Sequence, residues 1–122
     1  MKYNISVTKT FSAAHALRGY KGRCERLHGH NWKIKVTISS GRLDRTGMVM
    51  DFTDLKLLLD RVLAKIDHRY LNEIAPFNKI NPTAENIAAY LYKEAKPALK
   101  KGLKLETVEV WESETSSATA IG

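Results

Sequence analysis

A single cysteine, Cys24, stands among the 122 residues, so no internal disulfide braces the chain. Long apolar runs are missing as well. The most apolar stretch, Leu55 to Ile66, is interrupted by Lys56, Asp60, Arg61 and Lys65, which excludes a membrane-spanning helix there. The chain opens on a strand-like alternation and not on a signal peptide, so the expected location is cytoplasmic. Internal repeats and linkers are absent, and the only compositional bias is a small polar cluster from Ser113 to Thr119. With 43% hydrophobic and 27% charged residues, one compact domain over residues 1–122 is expected.

Acidic residues are scarce where basic ones gather. Glu25 is the only carboxylate in residues 1–35, against Lys2, Lys9, Arg18, Lys21, Arg23, Arg26, Lys33 and Lys35. The remainder carries equal numbers of each sign, so the whole net charge of +7 belongs to those first 35 residues. Such a patch suits nucleic acid, an anionic surface or a phosphorylated small molecule. No stacking-aromatic cluster or nucleic-acid motif accompanies it, which weighs against a non-catalytic nucleic-acid module.

Odd positions from Tyr3 to His15 are mostly apolar and predict a strand with one buried face that ends on His15. Even positions from His28 to Ile38 do the same for a second strand, whose apolar face starts with His28 and His30. Arg18 to Arg26, with two glycines and four basic residues, reads as a mobile or ligand-ordered loop. Leu55, Leu58, Leu59, Val62, Leu63 and Ile66 fall at helical spacing, with Thr53 as the expected N-cap. A second helix is predicted from Thr83 after Pro82, with an inner stripe of Ile87, Tyr90, Leu91, Ala95 and Ala98, ended by Pro97 and Gly102. A last long strand runs from Leu103 to about Glu114, with Glu106, Val108, Val110 and Glu112 on one face. A weaker final strand spans Ser116 to Ile121. The order strand, strand, helix, helix, strand makes the chain α+β.

Three of the four histidines, His15, His28 and His30, lie within 16 residues on neighbouring strands. Residues two apart on a strand share a face, so His28 and His30 aim at one point and His15 completes a trio. Three neutral imidazoles with a fourth position open suit catalytic zinc. Cys24, four residues before His28 and flanked by Arg23 and Arg26, sits where a thiolate is favoured, although a lone cysteine is ordinarily an apolar filler. Asp67-His68 follows the first helix and suits either a solvated helix end or an acid–base pair. Glu112 on a half-apolar face needs N–H donors, which a ligand or a lysine supplies. Thr83 reads as a helix cap.

The motifs Phe11-Ser12-Ala13-Ala14-His15, Cys24-Glu25-Arg26-Leu27-His28-Gly29-His30-Asn31-Trp32, Met50-Asp51-Phe52, Asp67-His68 with Leu71-Asn72, Pro82-Thr83-Ala84-Glu85-Asn86 and Glu112-Ser113 span the chain. In them it closely resembles the 6-pyruvoyltetrahydropterin synthase and 6-carboxytetrahydropterin synthase family. The resemblance implies the tunnelling fold, an antiparallel sheet with two helices on one face whose sheets join across subunits into a barrel. It also implies a homohexamer of two trimers with active sites between subunits. By the same resemblance His15, His28 and His30 hold zinc, Cys24 is the base assisted by Asp67 and His68, and Glu112 anchors the pterin with help from Thr83 and Glu85. The implied substrate is 7,8-dihydroneopterin triphosphate, whose triphosphate suits the basic segment. Three residues between Cys24 and His-Gly-His resemble the queuosine-pathway branch, which forms 6-carboxy-5,6,7,8-tetrahydropterin, acetaldehyde and triphosphate. Glu25 resembles the glutamate base of a folate-pathway branch that forms 6-hydroxymethyl-7,8-dihydropterin. The same motifs also suit pyruvoyl formation, and the binding of a pterin or an anion without turnover. Ala84 departs from the Ser or Thr common in relatives.

Overall fold

A computed structural model describes residues 1–20 and 26–122, so Lys21, Arg23, Cys24 and Glu25 lie outside the described residues. Among the described residues there are five strands and two α-helices: β1 (Tyr3–His15), β2 (His28–Ser40), α1 (Phe52–Leu63), β3 (Arg69–Tyr70), α2 (Ala84–Ala95), β4 (Lys104–Ser113) and β5 (Ser116–Ile121). The sheet order is β3-β1-β2-β4-β5. All neighbours are antiparallel except β3, a two-residue strand that runs parallel to β1 and makes the sheet mixed.

β1 and β2 pair along their full length, from Tyr3 opposite Ser40 to His15 opposite His28. The alternation read from the sequence survives intact. Val7, Phe11 and Ala13 of β1 and Trp32, Ile34, Val36 and Ile38 of β2 are buried under the helices. Phe11 and Trp32 sit opposite each other and stack at 5.9 Å, an aromatic cross-strand pair that locks this register. Slipping it by one residue would turn the whole apolar set to solvent. Lys9, the one charge on this face, reaches Asp60 of α1 at 2.8 Å.

α1 buries Leu55, Leu58, Leu59, Val62 and Leu63, and Ile66 is buried just beyond its end. Its N-cap is Asp51 and not Thr53: the Asp51 carboxylate accepts the Thr53 N–H at 2.7 Å. A charged acceptor at the positive helix end outcompetes a hydroxyl two residues further in. Thr83 caps α2 as predicted, accepting from the Asn86 N–H at 3.1 Å. The inner stripe of α2 is Ile87, Ala88, Leu91 and Ala95, while Tyr90 is half-buried. Ala98 is exposed, because Pro97 has turned the chain into a short 3-10 turn that carries it off the stripe.

β4 departs from strict alternation. Val108 pairs with Val36 and Thr107 with Thr37, but Ile38 pairs with Leu105, which leaves Glu106 as the extra residue of a β-bulge. The buried face is therefore Leu105, Val108 and Val110, and Glu106 is not on it as period two required. Ser39 donates to the Glu106 carboxylate at 2.6 Å, and Lys2 and Lys104 lie 2.6 and 3.3 Å from it. These partners, the Lys2 contact foremost, hold its carboxyl at about 2. The opposite face of the sheet carries exposed Ser6, Thr8, Thr10, Lys33 and Lys35 and is covered by neither helix. Among the described residues, no helix is long and apolar enough to cross a membrane.

Candidate metal centre and active site

The Phe11–Trp32 register carries the histidines with it. His15 faces His28 directly, and His30 lies opposite Ala13, so all three imidazoles leave the helix-covered face at one end of the sheet. Trp32 forms the floor beneath them. Its ring meets His15 and His30 edge-on at 5.0 and 5.3 Å, and its indole N–H donates to the Ala13 carbonyl at 3.2 Å.

The outer nitrogens of two rings are committed to backbone. His15 Nδ1 donates to the Pro82 carbonyl at 2.7 Å, and His28 Nδ1 to the Arg26 carbonyl at 2.6 Å. With Nδ1 donating, each ring turns Nε2 inward. Those two Nε2 atoms are 3.0 Å apart, where two lone pairs repel unless a cation or a proton lies between them. His30 Nε2 is buried and has no hydrogen-bond partner among the described residues. Glu112 Oε1 lies 3.2 Å from it, but outside hydrogen-bonding directions. Burial lowers the His15 and His30 pKa values below the ordinary histidine value and so favours the neutral ring. The donor atoms of His15, His28, His30 and Glu112 all lie within 4.8 Å of one another. Three imidazoles with inward Nε2 atoms, two of them braced by carbonyls, fit a divalent borderline metal such as zinc.

A hydrogen-bond network fastens this corner. The Asn72 side chain pairs with both backbone groups of Ala16 at 2.9 and 2.7 Å, and Asn81 does the same for Arg18 at 2.8 Å each. Two amides thus act as a substitute strand for the chain leaving His15. The Arg18 guanidinium closes the clamp on the carbonyls of Phe77, Ile80 and Asn72 at 2.8, 3.2 and 3.3 Å. Asn86 donates to the Asn81 carbonyl at 2.8 Å, next to Pro82, whose own carbonyl orients His15. Leu71-Asn72 and Pro82-Thr83-Ala84-Glu85-Asn86 stand out in the sequence for this reason. The partners of Arg18, in contrast, carry no sequence signal because they are main-chain atoms.

Asp67 and His68 lie elsewhere. Asp67 Oδ1 accepts the Ser12 N–H at 2.9 Å and lies 2.9 Å from His68 Nδ1, while the His68 N–H donates to the Ser12 carbonyl at 2.6 Å. These bonds hold His68 at φ 59°, a left-handed conformation uncommon outside glycine. Its side chain is 81% exposed over an open groove of about 470 Å³. That groove is lined by the outward positions Ser12, Ala14, Gly29 and Asn31 and also by Ala13 and His30 of the same strands. Among the described residues no hydrogen bond or ion pair joins Asp67 or His68 to the trio. Thr83 stands beside Pro82 at the trio, and Glu85 is exposed one residue past Ala84. Cys24 and Glu25 fall outside the described residues, in the segment between Arg18 and His28.

Fold and site together define a class. The family described as 6-pyruvoyl tetrahydropterin synthase matches residues 4–122, and the chain belongs to that family of tetrahydropterin-forming enzymes. The particular relatives sharpen the likeness. The chain is 42% identical over 114 residues to the 6-carboxy-5,6,7,8-tetrahydropterin synthase of Synechocystis sp., covering 89% of this chain and 85% of that protein. It is 38% identical over 112 residues to the dihydroneopterin monophosphate aldolase of Pyrococcus furiosus, covering 92% and 91%. The structure of the Caenorhabditis elegans 6-pyruvoyl tetrahydropterin synthase superposes with a TM-score of 0.87 at 31% identity, covering all of this chain and 96% of that one.

Proposed function

We propose that this protein is a zinc-dependent lyase that converts 7,8-dihydroneopterin triphosphate to 6-carboxy-5,6,7,8-tetrahydropterin, releasing acetaldehyde and triphosphate in the cytoplasmic queuosine pathway. The observation that carries the reading is the trio of inward Nε2 lone pairs, one of them orphaned and buried, in a chain of this family. His15, His28 and His30 hold the zinc. When bound, zinc polarises the side-chain hydroxyl oxygens of the substrate and acidifies the adjacent C–H. Cys24 takes that proton as a thiolate, favoured by Arg23 and Arg26 beside it. Glu112, beside His30, accepts the paired N–H groups of the pterin edge, with Thr83 and Glu85 completing the ring site. Basic residues among positions 21–26 receive the triphosphate.

The outward position of Asp67-His68 supports an assembly in which this pair assists Cys24 of another subunit, within a homohexamer of two trimers whose sheets close a barrel. The single domain of residues 1–122 is the repeating unit. A second reading is folate-branch cleavage to 6-hydroxymethyl-7,8-dihydropterin with Glu25 as base. Glu25 itself and the aldolase relative favour it. Incubating zinc-loaded protein with 7,8-dihydroneopterin triphosphate, with mass spectrometry of the products and a separate acetaldehyde assay, decides between them. Carboxytetrahydropterin with acetaldehyde supports the first reading. The hydroxymethyl product supports the second, 6-pyruvoyltetrahydropterin supports pyruvoyl formation, and unchanged substrate overturns all three in favour of binding alone.

A further inference from the structure

We infer that Glu112 serves two partners in turn: its carboxylate closes the fourth position of the metal before substrate arrives, and the pterin edge then draws it away. The inference deepens the zinc and pterin reading above and rests on it. Its origin is a conflict of roles in one place. A carboxylate reserved for a pterin ring has no need to stand among metal donors, yet its oxygen falls within 4.8 Å of all three imidazole donors. Its nearest polar neighbour, His30 Nε2 at 3.2 Å, makes no hydrogen bond with it. Two potential donor atoms that close, outside hydrogen-bonding directions, are placed to share one cation.

The backbone explains how the carboxylate reaches the metal and how it leaves. Trp111 pairs with Ser117 and Ser113 with Ser116, so Glu112 is the extra residue of a second bulge, where β4 turns into β5. Two residues past the fully buried Val110, Glu112 shares its face by ordinary alternation, and the bulge leaves its backbone without a pairing partner on β5. The Glu112 side chain is 33% exposed and has room to rotate, whereas His15 is buried and tied to Pro82. The fourth donor is therefore the mobile one of the set.

The consequence is selectivity. A metal with four protein ligands has no open position for a substrate hydroxyl, so recognition must precede activation. Only a ligand that presents paired N–H donors competes with the metal for the carboxylate. A free polyol phosphate would leave the site closed.

The test loads the full-length protein with cobalt(II) and follows its visible absorption, which reports coordination number. Wild type is expected to show an intense four-coordinate spectrum that weakens when 6-methylpterin, which lacks side-chain hydroxyls, is added. Glu112→Gln should start with the weaker spectrum, show no further change, and bind zinc at least about tenfold less tightly in chelator competition. Glu112→Asp, which keeps the charge, should restore part of the intensity. Identical wild-type and Glu112→Gln spectra overturn the inference. So does 6-methylpterin binding, seen by fluorescence, with no spectral change in wild type. Failure of wild type to bind cobalt or zinc at all, or to bind 6-methylpterin, overturns the underlying reading and the inference with it.

Discussion

Replacing Arg18 by alanine separates two roles for the basic segment before β2. Charge alone makes Arg18 a candidate contact for triphosphate. In the structure its guanidinium is instead spent on three main-chain carbonyls, of Phe77 at 2.8 Å, Ile80 at 3.2 Å and Asn72 at 3.3 Å. Hydrogen bonds from a charged donor contribute about 1.5–3 kcal/mol each when buried, but two of these are long and the side chain is solvated. The set is worth about 1–2 kcal/mol in all after that discount. The Asn81 bonds to the Arg18 backbone survive the change, so the clamp loosens without opening. With an unfolding entropy of about 2 cal/mol/K per residue, the melting temperature should fall by about 4–8 °C. Differential scanning calorimetry measures that. Steady-state kinetics on 7,8-dihydroneopterin triphosphate should show KM within about twofold of wild type at low and high salt, since no phosphate contact is lost. An unchanged melting temperature with a tenfold higher KM and a flattened salt dependence would refute the argument and return Arg18 to the substrate.

Other perturbations address the site and the sheet. His28→Ala removes a donor whose Nε2 lies 3.0 Å from that of His15, and zinc stoichiometry by elemental analysis should fall well below one per chain. Cys24→Ala should retain full zinc content and lose turnover, and substantial turnover in that variant would remove Cys24 from the reaction. Glu106, ordinarily near 4.5, is held at about 2 in the folded chain. Its depressed value stabilises the fold above pH 4.5, and that contribution is lost as pH falls from 4.5 toward 2. Glu106→Gln should therefore be less stable at neutral pH and show a flatter acid limb in urea titrations across that window.

Much of this molecule is legible in residue periodicity. Alternation in β1 and β2, the apolar stripe of α1 and the His-Gly-His spacing are local signals, because side-chain direction follows chain geometry within a few residues. His15, His28 and His30 are recognisable as one set for the same reason, and the helix-covered end of the sheet indeed brings them together. Thr83 as a cap is equally local. Asp51 in place of Thr53 is a contest between two adjacent acceptors that spacing alone does not resolve.

What periodicity leaves open depends on partners far along the chain. The bulge at Glu106 arises where strands of unequal path must pair, so β4 carries Leu105 inward against a strict period of two, while Glu112 keeps the face of Val108 and Val110 and meets His30 there. Arg18 changes from a free charge to a clamp only when residues 72–80 fold beside it. Asp67 and His68 stand beside β1 because the Ser12 backbone holds them there, His68 in a left-handed conformation. Composition and period thus decide which residues are inward, basic or metal-seeking, since those properties belong to the residue and its nearest neighbours. Which of them meet, and on which side of the sheet, is decided by long-range hydrogen bonds and register, which exist only once the strands have paired.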